Sequence, residues 1–417
     1  MRPHPISGTA DTTLPPLGTL QAALRKTTET LMRELAAPSL QAPRWTDLEW
    51  RIAEAAAVMQ GISALLSQRL RWRGPERWEA FLAHQTTHTS LRRERIESLL
   101  DRIDALAREA SIHVIALKGA ALCRLGLYPQ GGRPMSDIDL LTKPADAPAA
   151  CTVLAKLGYR HAGETARHQV FEPSDAASVR AFGEHIDHPV KIELHVRISE
   201  SLPVRKVDIT SLIPAGDGKP GLRFYSSLPA MMNHLLLHTA ANMRARAMRG
   251  IQLHDIAVVG RRMSLADWDA LAALDGGNRL PWWALPPLAL AARYYPSAIP
   301  AHPIDAALTG CTLWLRRAMR DQILTDVSWS RLTIQAFPGI EWCGSPAEAL
   351  TFIARRVFPD RAMRHALRTV ATRHAYSTGT PWYGLSHGRR ILRWLFATPP
   401  RVQAIYPVRV ALGVQSP

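Results

Sequence analysis

The chain has 417 residues, 47% of them hydrophobic and 21% charged, with no run of eighteen apolar residues. That profile suits a globular protein of two or three domains and excludes a disordered chain or an apolar membrane-spanning helix. The net charge of +16 is carried mainly by Arg, 44 residues against seven Lys, a skew that a GC-rich genome produces without selection for binding. Four widely spaced cysteines (Cys123, Cys151, Cys311, Cys343) lack CxxC spacing, which argues against structural zinc and suits a reducing, cytoplasmic compartment.

Residues 1–16 are rich in Pro and Thr without an apolar core, so they are predicted to be a disordered leader and not a secretory signal. Apolar residues then recur at three- and four-residue intervals over 17–110, predicting helices at 20–24, 47–70 and 78–110 with a break at Pro75. The β-branched run at 112–117 predicts a buried strand, and Lys118-Gly119 turns it into an apolar helix at 120–127. Gly126 and the Gly131-Gly132 pair end that helix before a second strand that starts at Asp137. A helix follows at 144–157, closed by Gly158. Residues 159–170 lead into a strand or loop, and a further strand is predicted at 190–198. The Pro/Gly-rich segment 209–223 is predicted to be a linker, and helical periodicity returns from 228 to about 395. The expected order is a leader (1–16), a helical region (17–110), an α/β core (111–215) and a helical region with a basic tail (225–400).

Within the core, Ser136-Asp137-Ile138-Asp139-Leu140-Leu141 places two carboxylates on one strand face, because strand side chains alternate with period two. Glu193 adds a third acid inside the 190–198 run, with Ile192 and Leu194 on the opposite, core-facing side. Acids brought together on neighbouring strands repel unless a cation sits among them. Magnesium held by carboxylates is commonly there to bind phosphates. The pair alone is a weak signal, since Asp267-Trp268-Asp269 has the same spacing. There, however, Ser264 precedes the acids as a helix start, and they complement the helix dipole.

Context separates the two pairs. Leu117-Lys118-Gly119-Ala120-Ala121-Leu122, Leu127-Tyr128, the stretch from Gly132 through Arg133, Ser136, Asp137 and Asp139 to Leu141, Leu157-Gly158-Tyr159 and Glu193-Leu194-His195 resemble the bacterial nucleotidyltransferase family proteins of the DNA-polymerase-β-like superfamily. The resemblance covers residues 20–300 and is most specific over 112–198. It implies an α/β (α+β) core with a small mixed sheet, flanked by N- and C-terminal all-helical regions. It also implies that Asp137, Asp139 and Glu193 hold two Mg²⁺ ions and carry the transfer of NMP from a nucleoside triphosphate. Lys118, Gly119, Arg133 and Ser136 then line the nucleotide, Gly119 permitting close backbone approach and Arg133 acting as a clamp or as a loop charge. At the turn the sequence departs from the superfamily's Gly-Ser: Ala120 lacks the phosphate-binding hydroxyl, and Lys118 supplies a charge in its place.

The acceptor implied is a hydroxyl or phosphate on a small molecule, peptide or protein, and the family's occurrence in biosynthetic gene neighbourhoods implies natural-product tailoring. Two alternatives remain at this level. One is transfer to RNA or a tRNA end. After Glu348 there are eleven Arg and one acid, Asp360, so +10 of the +16 lies in the last sixth of the chain, beside Trp382, Tyr383, Trp394 and Phe396. The same charges also fit a solvated helix face, and nucleic acid is not the favoured partner. The other is a degenerate nucleotide-binding module. His195 shares a face with Glu193 as a polar neighbour or catalyst. His234 and His238, at i and i+4, fit a core helix better than a metal site. Asp255 either lines the nucleotide pocket or pairs locally.

Overall fold

A computed structural model of the chain describes residues 14–165, 168–175, 179, 181–213, 218–274, 276, 279–308, 310–359, 386–396 and 399–414. Most of the predicted leader, and much of the basic tail including Trp382 and Tyr383, lie outside the described residues. The chain opens in helices: α1 (Leu17–Ala36), α2 (Asp47–Gln60), α3 (Ser63–Arg69) and α4 (Glu76–Glu109). In α1 the buried residues Leu20, Leu24, Leu31 and Leu35 recur on one face. Thr46 and Glu49 close a capping box at the start of α2. Residues 47–70, expected as one helix, are two. Gly61 adopts a left-handed φ of +66°, and a Cβ there would lie 2.7 Å from the Arg249 guanidinium.

The α/β core follows as β1 (His113–Ala116), α5 (Lys118–Arg124), β2 (Asp137–Thr142), α6 (Ala147–Lys156), β3 (Tyr159–Glu164), β4 (His168–Pro173) and β5 (Lys191–His195). A hairpin of β6 (Ser199–Leu202) and β7 (Arg205–Asp208) comes next, and then β8 (Gly221–Arg223). Six strands form one mixed sheet in the order β3-β4-β5-β2-β1-β8. β2 runs antiparallel to β1 and parallel to β5, and β4 is antiparallel to β5. Ile138, Leu140, Ile192 and Leu194 are buried in the core, so the alternate positions, Asp137, Asp139, Glu193 and His195, share the other face of the sheet. The segment 209–223, expected as a linker, ends in β8, which extends the sheet beside β1. Three residues beginning with Gly are too short to show a strand period.

The C-terminal region is helical: α7 (Leu228–Arg244), α8 (Gly250–Gly260), α9 (Leu265–Ala273), α10 (Leu285–Tyr294), α11 (Ala301–Leu308), α12 (Leu313–Arg320), α13 (Leu324–Val327), α14 (Pro346–Val357), α15 (His387–Phe396) and α16 (Val402–Leu412). Ser264 and Asp267 form a capping box at α9, so the second Asp-x-Asp pair belongs to a helix start. Among the described residues no helix is long and apolar enough to cross a membrane. The architecture is an α+β core with helical regions on both sides.

Those helical regions share buried polar contacts. Glu29 of α1 accepts from the Tyr294 hydroxyl and from the backbone and side chain of Thr325, and Gln60 donates to Ser328 and Ser330. One buried ion pair ties the α/β core to α8. Arg133 grips Asp255 through Nε–Oδ1 at 2.8 Å and Nη2–Oδ2 at 2.6 Å, and the Tyr128 hydroxyl donates to the same carboxylate. Removing one partner leaves a buried charge uncompensated, at a cost of about 3–5 kcal/mol. Asp255→Ala is therefore expected to lower the unfolding free energy by about that amount in urea titrations followed by circular dichroism. A loss below about 1 kcal/mol would show that the pair does not tie the regions together.

Candidate active site

The sheet register builds the site. Asp139 on β2 lies directly opposite Glu193 on β5, with Asp137 two residues before it. On the outer side of β5, His168 of β4 pairs across the strands with His195. All seven residues singled out from the sequence (Lys118, Gly119, Arg133, Ser136, Asp137, Asp139, Glu193) line one cleft of about 310 Å³, together with His168, His195, His234 and Arg249.

Electrostatics inside the cleft are set by burial. Lys118 places its ammonium 2.7 Å from Asp139 Oδ1, and His195 Nε2 lies 3.1 Å from the same oxygen. Burial alone would raise the Asp139 carboxyl, but Lys118 and His195 hold it well below the usual carboxylate range. Burial would likewise lower Lys118, and Asp139 with Asp137 more than offsets it, so the ammonium is held above its ordinary value. The remaining two acids carry the opposite strain. Asp137 is raised by burial and by Asp139, although the Ser136 hydroxyl donates to it. Glu193 is pushed up to about 7 by burial and then by the two aspartates.

Lys118 is held in an unusual backbone shape. Its φ of +45° is left-handed, a region that residues other than glycine seldom occupy. Its N–H donates to the Tyr225 hydroxyl at 3.0 Å, and that hydroxyl pairs with His234 Nδ1 at 2.7 Å. Burial drives His234 down to about 3, so its imidazole is neutral. Gly119 has a tight neighbour as well: a Cβ there would fall 2.1 Å from Arg133 Nη1. Nε and Nη2 of Arg133 are committed to Asp255, and Nη1 donates to the Pro134 carbonyl at 3.3 Å, leaving its second N–H. Ala120 is buried, away from any polar task.

Asp137, Asp139 and Glu193 are hard oxygen donors of the kind a magnesium ion takes. Their mutual repulsion is what a bound cation relieves; Lys118 already answers part of it at Asp139, and among the described residues the ligand atoms that converge within 4.8 Å are those of His168, Glu193 and His195. Sequence patterns did not show Arg249, whose Nε and Nη2 donate to the Met59 and Val58 carbonyls at the end of α2 while the residue lines the cleft. They also did not show His168, since its role depends on a cross-strand register that no local motif encodes. The four cysteines are unpaired.

Compared with known proteins, residues 46–280 match the model of a family described as "Uncharacterised nucleotidyltransferase". No curated protein and no solved structure matches the chain.

The crowding of acids has a measurable signature in stability. Glu193 lies above its ordinary 4.5, at about 7, so the folded chain binds more protons than the unfolded chain in between. Its contribution is therefore fully present below about pH 4.5 and is lost as the pH rises through about 7. Asp137 acts in the same direction. Asp139 acts oppositely, but only below its ordinary 3.8, and Lys118 acts only above 10.5. In chelator, the Glu193 contribution to the unfolding free energy is expected to fall by on the order of 3 kcal/mol between about pH 5 and about pH 8, on top of the opposite trend up to pH 6.5 from buried His234 and His254, both held down to about 3. Glu193→Gln is expected to flatten that fall. Parallel pH curves for the two proteins would refute the crowding.

Proposed function

The chain belongs to the uncharacterised nucleotidyltransferase family, and from that premise we propose that it is a magnesium-dependent enzyme moving NMP from an NTP to an acceptor hydroxyl or phosphate. The acceptor is a small molecule, peptide or protein, as in tailoring of a natural product, and the compartment is the cytoplasm, which the unpaired cysteines suit. The observation that carries the proposal is the in-register meeting of Asp139 with Glu193 beside Asp137 in a single cleft.

In this reading Asp137, Asp139 and Glu193 hold the metal. When bound, the ions supply charge neutralisation for the entering and leaving oxygens of an in-line displacement at the α-phosphorus, with pyrophosphate leaving. The chain's own residues do the rest. Lys118 carries a full positive charge at the floor of the cleft and offers it to phosphate oxygens, in the place where Ala120 has no hydroxyl to give. The Ser136 hydroxyl opposes the upward push on the Asp137 carboxyl. Gly119 keeps the turn bare of side chain. Arg133 lends its Nη1 edge while Asp255 orients the guanidinium. Glu193 receives the acceptor proton at a carboxylate oxygen.

Transfer to RNA is the second reading. It is favoured by α15, where Arg389, Arg390 and Arg393 accompany an exposed Phe396. Co-purified nucleic acid that dissociates steeply with salt would select it.

The test is transfer of label from an α-³²P NTP by the purified chain with Mg²⁺. Asp139→Asn and Asp137→Asn are each expected to lower transfer by on the order of a hundredfold or more. Full activity in either variant would sink the mechanism.

A further inference from the structure

The outer half of the cleft is not built like a magnesium site. His168 Nε2 lies 3.5 Å from Glu193 Oε1, and His195 Nε2 lies 3.8 Å from Glu193 Oε2. One donor atom from each of the three residues falls within 4.8 Å of the others. The backbone imposes this grouping, because His168 and His195 are direct cross-strand partners while Glu193 shares the face of β5 two residues earlier. The two imidazole rings stand 4.8 Å apart, tilted to one another and not stacked.

We propose that His168, Glu193 and His195 form a binding site for one divalent first-row transition ion, of the manganese-to-zinc class, beside the aspartate pair. The imidazole-to-carboxylate gaps are at or beyond the limit of a direct hydrogen bond. They nonetheless approach the separation of about 3.0–3.5 Å between donors that share an ion at roughly 2.1 Å. The donors lie within 4.8 Å of one another, so contraction by up to about 1.5 Å, shared by the three side chains, closes the set. Donor chemistry selects the ion. Two imidazoles with one carboxylate suit manganese, iron, cobalt or zinc, whereas magnesium takes oxygen and keeps its waters.

Asp139 Oδ1, 3.1 Å from His195 Nε2 and 2.7 Å from the Lys118 ammonium, stands next to the set. The site thus adjoins Asp137 and Asp139 without using Asp137. What the ion does rests on the nucleotidyl-transfer reading: it makes one of the two metal positions selective for a softer ion. Whether it binds does not rest on that reading.

The experiment uses the full chain, stripped by chelator and dialysed, with no nucleotide present. Co²⁺ is titrated in a large excess of Mg²⁺, and binding is followed by the visible absorption of the ion and by paramagnetically shifted imidazole N–H resonances. One equivalent is expected to bind, with shifted signals from two histidines. His168→Ala is expected to weaken binding at least tenfold, and His168→Gln, which keeps the polarity and bulk of the position, should do the same if the alanine variant folds poorly. Asp137→Asn is expected to keep the cobalt spectrum while losing nucleotide transfer. Mg²⁺ displacing Co²⁺ on equal terms, or folded His168 variants binding as the parent does, would overturn the site. A chain that binds cobalt through His168 yet transfers no nucleotide would instead overturn the transfer reading and leave the site standing.

Discussion

Pairing β2 alongside β5 in parallel register brings the carboxylates of Asp139 and Glu193 together, with Asp137 on the same face. Like charges brought this close in a buried cleft are unfavourable, and much of the surrounding structure answers that repulsion. Lys118 sets an ammonium on Asp139, and its left-handed backbone brings the side chain round from the head of α5. Strain of that kind costs on the order of 1–3 kcal/mol and persists only where neighbours over-determine it. Here the neighbours are Tyr225 on the N–H and Asp139 on the ammonium, one from the approach to α7 and one from β2. Tyr225 in turn is braced by a neutral histidine of α7. The C-terminal helical region therefore helps to set the charge state of the α/β core.

The same dependence appears at Arg133. From sequence this residue could be a loop charge or a clamp on phosphate. Folded, it spends two of its three nitrogens on Asp255, 122 positions away. A buried bidentate pair of this kind fixes orientation more than it adds stability, and here it fixes the Gly119 turn against α8. Arg249 works in the opposite direction, from the C-terminal region back to the end of α2. The sheet and α7–α8 thus meet around one cleft, and Arg249 ties that cleft to the end of α2.

Local chemistry made much of this legible. Asp137 and Asp139 on a strand, the Lys118-Gly119 turn, Gly158 as a left-handed cap and Ser264 as a helix start each carry their reason within a few residues. Period two also put Ile192 and Leu194 in the core and left Glu193 and His195 facing the cleft. What could not be read depended on partners distant in sequence. Gly61 looks like one more residue of a helix until Arg249 is seen to need the space. β8 has too few residues to show alternation, and it becomes a strand only because β1 offers an open edge. The β6–β7 hairpin is short and charged, so its period is hidden by polarity. His168 gains meaning only through the β4–β5 register, which places it opposite His195.

Arg249 lines the main cleft and also a neighbouring cavity of about 280 Å³ that holds Glu184, Gln85 and Ser63. Pro134 and Ser136 also line both chambers, so Arg249 is one part of the wall they share. The Arg249 part hangs on the Met59 and Val58 carbonyls, bonds worth on the order of 1.5–3 kcal/mol each at most. The wall between the chambers is consequently shared by the residues leading into β2 and by one side chain anchored to the end of α2. Against the push of burial, Arg249 also lowers the Asp137 carboxyl, so the shape of the cleft and the charge of its acids depend on the same side chain.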